Sequence, residues 1–205
     1  MMQLNGSLSL VRAKLARLRP TQFSVGYIEV ERKAKQWADM KHKKLEAELE
    51  QHVFPAVLGL SRDYYVIDHH HLGVALLERG VKEVWVTVLD DLSWLDARAF
   101  WRTLEFRGWA YPYDQKGRRR TYGEMPKRLL QLKNDPYRGL AGLVQEAGGF
   151  AKVPEPFAQF LWADFFRPRI VARLIKASPR RAIPLGVKLA RSPQARYLPG
   201  WTGSL

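Results

Sequence analysis

Apolar positions along the chain fall into alternating strand-like and helix-like stretches. Tyr64, Tyr65, Val66 and Ile67 form an aromatic and β-branched run after the turn-like Ser61, Arg62 and Asp63, which predicts a short strand. Leu72, Ala75, Leu76 and Gly80 then follow helical spacing, with Gly80 placed to end the helix. Residues 54–60 and 81–89 read as two more strands. Between residues 29 and 52, charges alternate with Ala34, Trp37, Ala38, Leu45 and Leu49, the pattern of one long exposed helix with a thin apolar stripe. Residues 94–106, 124–132 and 156–166 are predicted as helices. The last is aromatic-rich, and its Phe157, Phe160, Leu161, Trp162 and Phe165 are expected in a core.

Charge changes this picture more than composition does. A length of 205 residues with 46% hydrophobic and 12% aromatic residues suits one α/β domain with an appendage. The net charge of +14 favours a polyanionic partner, with nucleic acid ahead of an anionic membrane surface and general solubility charge as the alternative. Residues 165–205 hold nine Lys or Arg and no Asp or Glu, interrupted by Pro168, Pro179, Pro184, Pro193 and Pro199. The expectation is a short helix followed by an extended, partly mobile tail, in which Arg173, Lys176, Arg180 and Arg181 contact DNA phosphates. Packing of this tail on the body is the competing expectation. In a second basic cluster, residues 114–123, Arg118, Arg119 and Arg120 are interleaved with Tyr111, Tyr113 and Tyr122. That mixture suits an exposed base or a single strand, and equally a hairpin tip.

No run is apolar enough to span a bilayer, and residues 4–18, though basic and amphipathic, lack the features of a secretory signal. A cytoplasmic location is expected, with peripheral attachment to the inner membrane through this segment left open. Cysteine is absent, and neither HxxxH nor HExxH spacing occurs, so a structural zinc site is not expected.

The stretch richest in chemistry is YYVIDHHHLGVALLERG, residues 64–80, which places Asp68 and three consecutive histidines at a strand-to-helix turn. Backbone amides and the positive end of a helix dipole favour an anion there. Successive helical residues point about 100° apart, so at most two of His69, His70 and His71 converge on one ligand. Imidazoles that bind phosphate or move protons near neutral pH fit better than a metal cage. Asp68 has two roles open to it, as cap of the helix or as ligand to a hard cation.

Asp68, His70, His71, Ala75 and Leu76 resemble the DGHHRxxAL turn of the ParB/sulfiredoxin superfamily, and the wider pattern is similar to its ParB-like nuclease branch. Residues 18–37, 134–142 and 157–167 resemble further blocks of that branch in the expected order, so the likeness spans about residues 18–167. It implies an α/β (α+β) fold: a compact core with a mixed small sheet and flanking helices, plus a helical C-terminal extension. The expected division is a basic N-terminal segment (1–17), a nucleotide-binding core (18–110), a helical extension with a basic loop (111–166) and a basic tail (167–205).

Activities in the superfamily include CTP hydrolysis, ATP-dependent sulfinic acid reduction, free-serine phosphorylation, and the ATPase and DNase activities of plasmid-borne proteins. The reductase activity needs a cysteine that this chain lacks. Relatives carry Gly and Arg where this chain has His69 and Leu72, so the usual arginine contact to phosphate is missing, and an arginine of the 118–120 loop is a candidate substitute. The resemblance implies that Gln22, His69, His70, His71 and the backbone of Leu72 bind nucleotide. It also makes Glu29, Asp68, His70 and His71 the candidate catalytic residues, with Asp68 and Glu29 on Mg²⁺ or Mn²⁺. For Glu29 the alternative is a surface strand residue; for Asp91, a cap or loop brace is favoured. The resulting expectation is a DNA-directed nuclease and nucleoside triphosphatase acting with ATP or CTP. A small-molecule kinase using the same site and a non-catalytic DNA-binding adaptor are the alternatives.

Overall fold

Alternating buried and exposed residues build the strands, and the chain falls into two units, residues 9–24 with 30–133 and residues 25–29 with 134–203. The computed structural model describes residues 9–38 and 40–203. In chain order the strands are β1 (Ser9–Lys14), β2 (Arg19–Pro20), β3 (Ser24–Val25), β4 (Phe54–Leu58), β5 (Tyr64–Val66), β6 (Glu83–Asp91) and β7 (Lys133–Asn134). The helices are α1 (Tyr27–Ala38), α2 (His42–Gln51), α3 (His70–Glu78), α4 (Ala97–Phe106), α5 (Pro136–Glu146), α6 (Ala158–Phe166), α7 (Ala172–Ala177) and α8 (Pro179–Ala190).

In the first unit five strands form one mixed sheet in the order β1-β6-β4-β5-β2. The β1/β6 and β4/β5 pairs are antiparallel, whereas β4/β6 and β2/β5 are parallel, with a bulge in β4 between Ala56 and Val57. Phe54, Ala56, Val57, Val66, Val84 and Val86 are buried, as the expected strands require. Tyr65, Phe100 and Trp101 meet edge to face, with ring centroids 4.7–5.5 Å apart. Gly59 sits against this cluster, and a Cβ there would lie 2.5 Å from the Phe100 ring. Helix α4 is capped by Asp96, whose Oδ1 accepts the Ala99 N–H at 2.8 Å. Helix α3 buries Leu72, Val74, Ala75 and Leu76 and stops at Gly80, whose φ of 76° suits a residue without Cβ.

Three expectations are corrected here. Residues 29–52 form two helices instead of one: Val30 and Trp37 share a face, but Leu49 would lie about 120° away on a continuous helix, and the break lets all three bury. Residues 124–132 form two isolated 3-10 turns, Tyr122–Glu124 and Leu129–Gln131, separated by Pro126. Of the basic N-terminal stretch, residues 4–8 lie outside the described residues, and Ser9–Lys14 is the edge strand β1. No helix among the described residues is long and apolar enough to cross a membrane.

The second unit overturns the extended tail. Residues 172–190 form α7 and α8, and Ile175, Ala182, Ala190, Ala195 and Leu198 are buried with Leu140, Val144, Phe150, Trp162 and Phe166. Pro179 starts α8, where a proline costs no hydrogen bond, and apolar spacing carries the helix past Pro184. Trp162 stacks on Phe150 at 4.1 Å and donates its Nε1–H to the Pro199 carbonyl at 2.9 Å. Gly26 packs on the backbone of Gly139, where a Cβ would meet the Gly139 nitrogen at 2.5 Å.

One buried carboxylate holds this unit at the start of α5. Asp135, 1% exposed, accepts the Tyr137 N–H at 3.0 Å and pairs with Arg167 at 2.9 Å, while its own N–H donates to the Val25 carbonyl at 2.8 Å. Arg167 also pairs with the more exposed Asp164 at 3.1 Å. Asp135→Ala should lower the free energy of urea unfolding by about 2 kcal/mol, because it removes a cap and the more buried of the two carboxylates paired with Arg167. Asp164→Ala should cost less than about 1 kcal/mol, and equal losses would contradict this account.

Candidate active site at the histidine turn

The turn between β5 and α3 is shaped by its backbone. His69 is in the left-handed region, with φ 64° and ψ 20°, a conformation in which histidine is several-fold enriched over most side chains. It occupies the N-cap position, with Asp68 beside it. Asp68 is exposed, and its Oδ1 accepts the His69 N–H at 2.6 Å, so it fixes the kink that starts the helix without capping its first turn.

The three histidines go to three environments. His70 is 3% exposed, and its Nε2 accepts the Thr21 N–H at 3.2 Å. Thr21 in turn donates its hydroxyl to the Val66 carbonyl at 2.8 Å. An Nε2 that accepts carries no proton, so His70 ties the chain after β2 to the start of α3, an arrangement that suits positioning better than contact with a ligand. His69 packs edge to face on Phe54 at 5.5 Å, and its enclosed Nδ1 has no hydrogen-bond partner among the described residues. Burial holds the His69 imidazole below the ordinary histidine value; the charge of Asp68 opposes this, and Lys33 and His52 reinforce it. His71 is half-buried.

Leu72 is 2% exposed, so only its backbone can face a ligand. Gln22 is 6% exposed and donates Nε2–H to the Ser24 carbonyl at 2.7 Å, bracing its own strand. Glu29 sits in the first turn of α1, not on a strand, and belongs to the second unit. Among the described residues no group of three or more His, Asp and Glu is placed to hold a metal ion. One exposed carboxylate, Asp68, still fits the way Mg²⁺ binds, through one or two carboxylates with phosphate oxygens and water.

Lys33 and His52 were not found from the sequence. Lys33 lies on a helix whose charges read as solvated. His52 is held by the Glu48 carbonyl at 2.8 Å from Nδ1 and by the edge of Trp37 at 5.2 Å.

In the basic loop, Arg119 forms a two-pronged ion pair with Glu105 at 2.6 and 2.9 Å, which holds the Glu105 carboxyl below the usual range. Tyr122 donates to the same carboxylate, and Arg120 pairs with Glu124. Arg119 is thereby committed to the fold, and Arg118 has no ion pair among the described residues. Arg173 and Lys176 on α7, with Arg180 and Arg181 at the start of α8, are exposed and unpaired among the described residues. Cations at a helix start add to the positive end of its dipole.

Unfolding returns His69 to water, where it binds a proton at the ordinary histidine value, while the folded chain binds one only at lower pH. Stability is therefore complete above that value and declines as pH falls through the interval down to the depressed folded value. Asparagine tolerates the left-handed backbone without an imidazole. In urea unfolding at about pH 7.5 and about pH 5, chosen to bracket the ordinary value, the loss of stability on acidification should be smaller in His69→Asn than in the wild type.

Comparison with known proteins follows this geometry. Residues 11–168 match the family model described as "Putative ParB-like nuclease". The fold is similar to the crystal structure of protein Atu1540 from Agrobacterium tumefaciens, with a TM-score of 0.89 and 42% identity, over 96% of this chain and 98% of that one. No curated protein matches the chain. With more than half of its length inside the family model and a mixed sheet leading into the histidine turn, the chain belongs to the ParB-like nuclease family.

Proposed function

We propose that this protein is a DNA-directed phosphohydrolase that cleaves phosphodiester or nucleoside triphosphate bonds at the start of α3. The observation that carries the reading is His69: a left-handed residue at a helix N-terminus whose enclosed imidazole nitrogen lacks a partner. Burial keeps that ring neutral, the form needed to accept a proton. Lys33 adds positive charge around it, which favours phosphate.

In this mechanism the oxygen of a water molecule attacks phosphorus, the water proton passes to Nε2 of the neutral His69 ring, whose Nδ1 is enclosed, and the bond to the leaving oxygen breaks, that oxygen taking the proton back. His71 and the amides at the start of α3 hold the non-bridging oxygens, and His70 keeps the turn in register through Thr21. Asp68 is the residue that would hold Mg²⁺ or Mn²⁺, which supplies charge neutralisation at the phosphate when bound. The exposed cations of α7 and α8 support DNA as the partner. The burial of Leu72, where relatives carry arginine, favours a second reading in which nucleotide is bound but not turned over.

The test combines plasmid and single-stranded DNA, with and without Mg²⁺ or Mn²⁺, and phosphate release from ATP and CTP. Wild-type protein should turn over at least one of these substrates. His69→Asn should lower that rate by about 100-fold or more, the usual contribution of a positioned base, with DNA affinity retained. Wild-type rates in the variant would remove His69 from the mechanism, and nucleotide binding without turnover in the wild type would establish the second reading.

A further inference from the structure

The first unit contains a cleft of about 630 Å³, within the range of ligand sites, that is separate from the histidine turn. Lys116, Arg118, Lys127 and Lys133 line it, and none of the four has an ion pair among the described residues. The two carboxylates in its wall are already engaged. Asp114 accepts the backbone N–H of Lys116 at 2.9 Å and of Arg118 at 3.0 Å, and Glu124 is taken by Arg120 and Thr121. The cleft therefore presents a net excess of positive charge beside apolar lining from Phe23, Met125 and Pro126.

Its walls are braced by hydrogen bonds and tied to the candidate active site. The Lys133 N–H donates to the Phe23 carbonyl at 3.0 Å, and Gln131 Oε1 accepts from the N–H groups of Lys127 and Arg128 at 2.8 and 3.0 Å. Phe23 lies two residues after Thr21, the partner of His70. Leu129, two residues before Gln131, packs on Gly73 of α3, where a Cβ would lie 2.8 Å from its Cδ1. One side of the cleft thus grows out of the strand bonded to the histidine turn, and the other rests on the helix that the turn begins.

We propose that this cleft binds a single strand of nucleic acid, with phosphates on the four cations and a base against Phe23 and Met125. A duplex presents its phosphates on a convex cylinder about 20 Å across and is gripped by elements that protrude into its grooves, whereas a concave cleft admits an unpaired strand. The proposal deepens the nucleic-acid reading above by naming the form of the polymer and where it enters.

The experiment uses the full chain and two triple variants, Lys116→Gln/Arg118→Gln/Lys127→Gln in the cleft and Arg173→Gln/Arg180→Gln/Arg181→Gln on α7 and α8. Fluorescence anisotropy follows binding of a labelled oligothymidylate and of a duplex with the same number of phosphates, across a salt titration. The cleft variant should lose about tenfold or more in single-strand affinity, and its salt slope should fall by about 2, at about 0.7 per contact. Its duplex affinity should stay within about twofold, while the helix variant should show the reverse pattern. Unchanged single-strand binding, equal losses on both polymers, or displacement of the strand by ATP at equal phosphate concentration would each overturn the proposal. Arg118→Glu alone, which leaves the backbone contacts to Asp114 intact, should weaken the single strand further than Arg118→Gln if the cleft is the site. Hydrolysis is not read in this assay, so a protein without turnover would fail the proposed function while leaving the cleft intact as a binding site.

Discussion

The hydrogen bond from the Thr21 N–H to Nε2 of His70 is the constraint on which the rest of the first unit's chemistry depends. It joins three pieces of backbone at a buried point: the segment after β2, the end of β5 through the Thr21 hydroxyl and the Val66 carbonyl, and the first residue of α3. A buried N–H left without an acceptor costs about 1–3 kcal/mol, so the imidazole at this place is as structural as a backbone carbonyl would be. The arrangement also requires one particular tautomer, with Nε2 unprotonated. With His70 facing inward, His71, the next residue of α3, points about 100° away from it.

This division of labour separates residues that share a letter in the sequence. HHH is a single motif, but the left-handed backbone at His69 and the start of α3 at His70 send its three rings to an aromatic edge, a buried backbone donor and a half-buried surface. His69 then acquires its chemistry from exclusion: Phe54 and burial deny its Nδ1 a partner and keep the ring neutral. The groups around it come from elsewhere in the chain, Lys33 from α1 and His52 from the residue that follows α2.

The sheet was legible because its strands are short runs of β-branched and aromatic residues with clear turns between them. The helix after the turn was equally plain, since Leu72, Leu76 and Gly80 encode both its face and its end. Helix breaks were less so. The split between α1 and α2 depends on where Leu49 must point, and the two 3-10 turns around Pro126 carry apolar residues at spacings that also fit a helix. The basic tail misled because proline and positive charge outweighed small apolar residues; Ala182, Gly186 and Ala190 read as neutral, yet they form the face that lets α8 pack closely. At the site, the motif located the turn but not the orientation of each ring, since a one-residue change of backbone region exchanges buried for exposed. Arg119 and Gln22 looked available for the same reason: their partners, Glu105 and the Ser24 carbonyl, are set by folding rather than by adjacent letters.

The edge strand β1 carries one last consequence. Its partner β6 covers one side, and the other side closes the sheet with no further strand among the described residues. Such a border invites a second chain to add itself, and the side chains along it, Arg12 and Lys14 with the ion pairs of Arg12 to Glu46 and Glu83, act as a charged fence against that addition. Part of the positive charge on the chain therefore lies along this border, where charged side chains and their ion pairs disfavour the addition of a further strand.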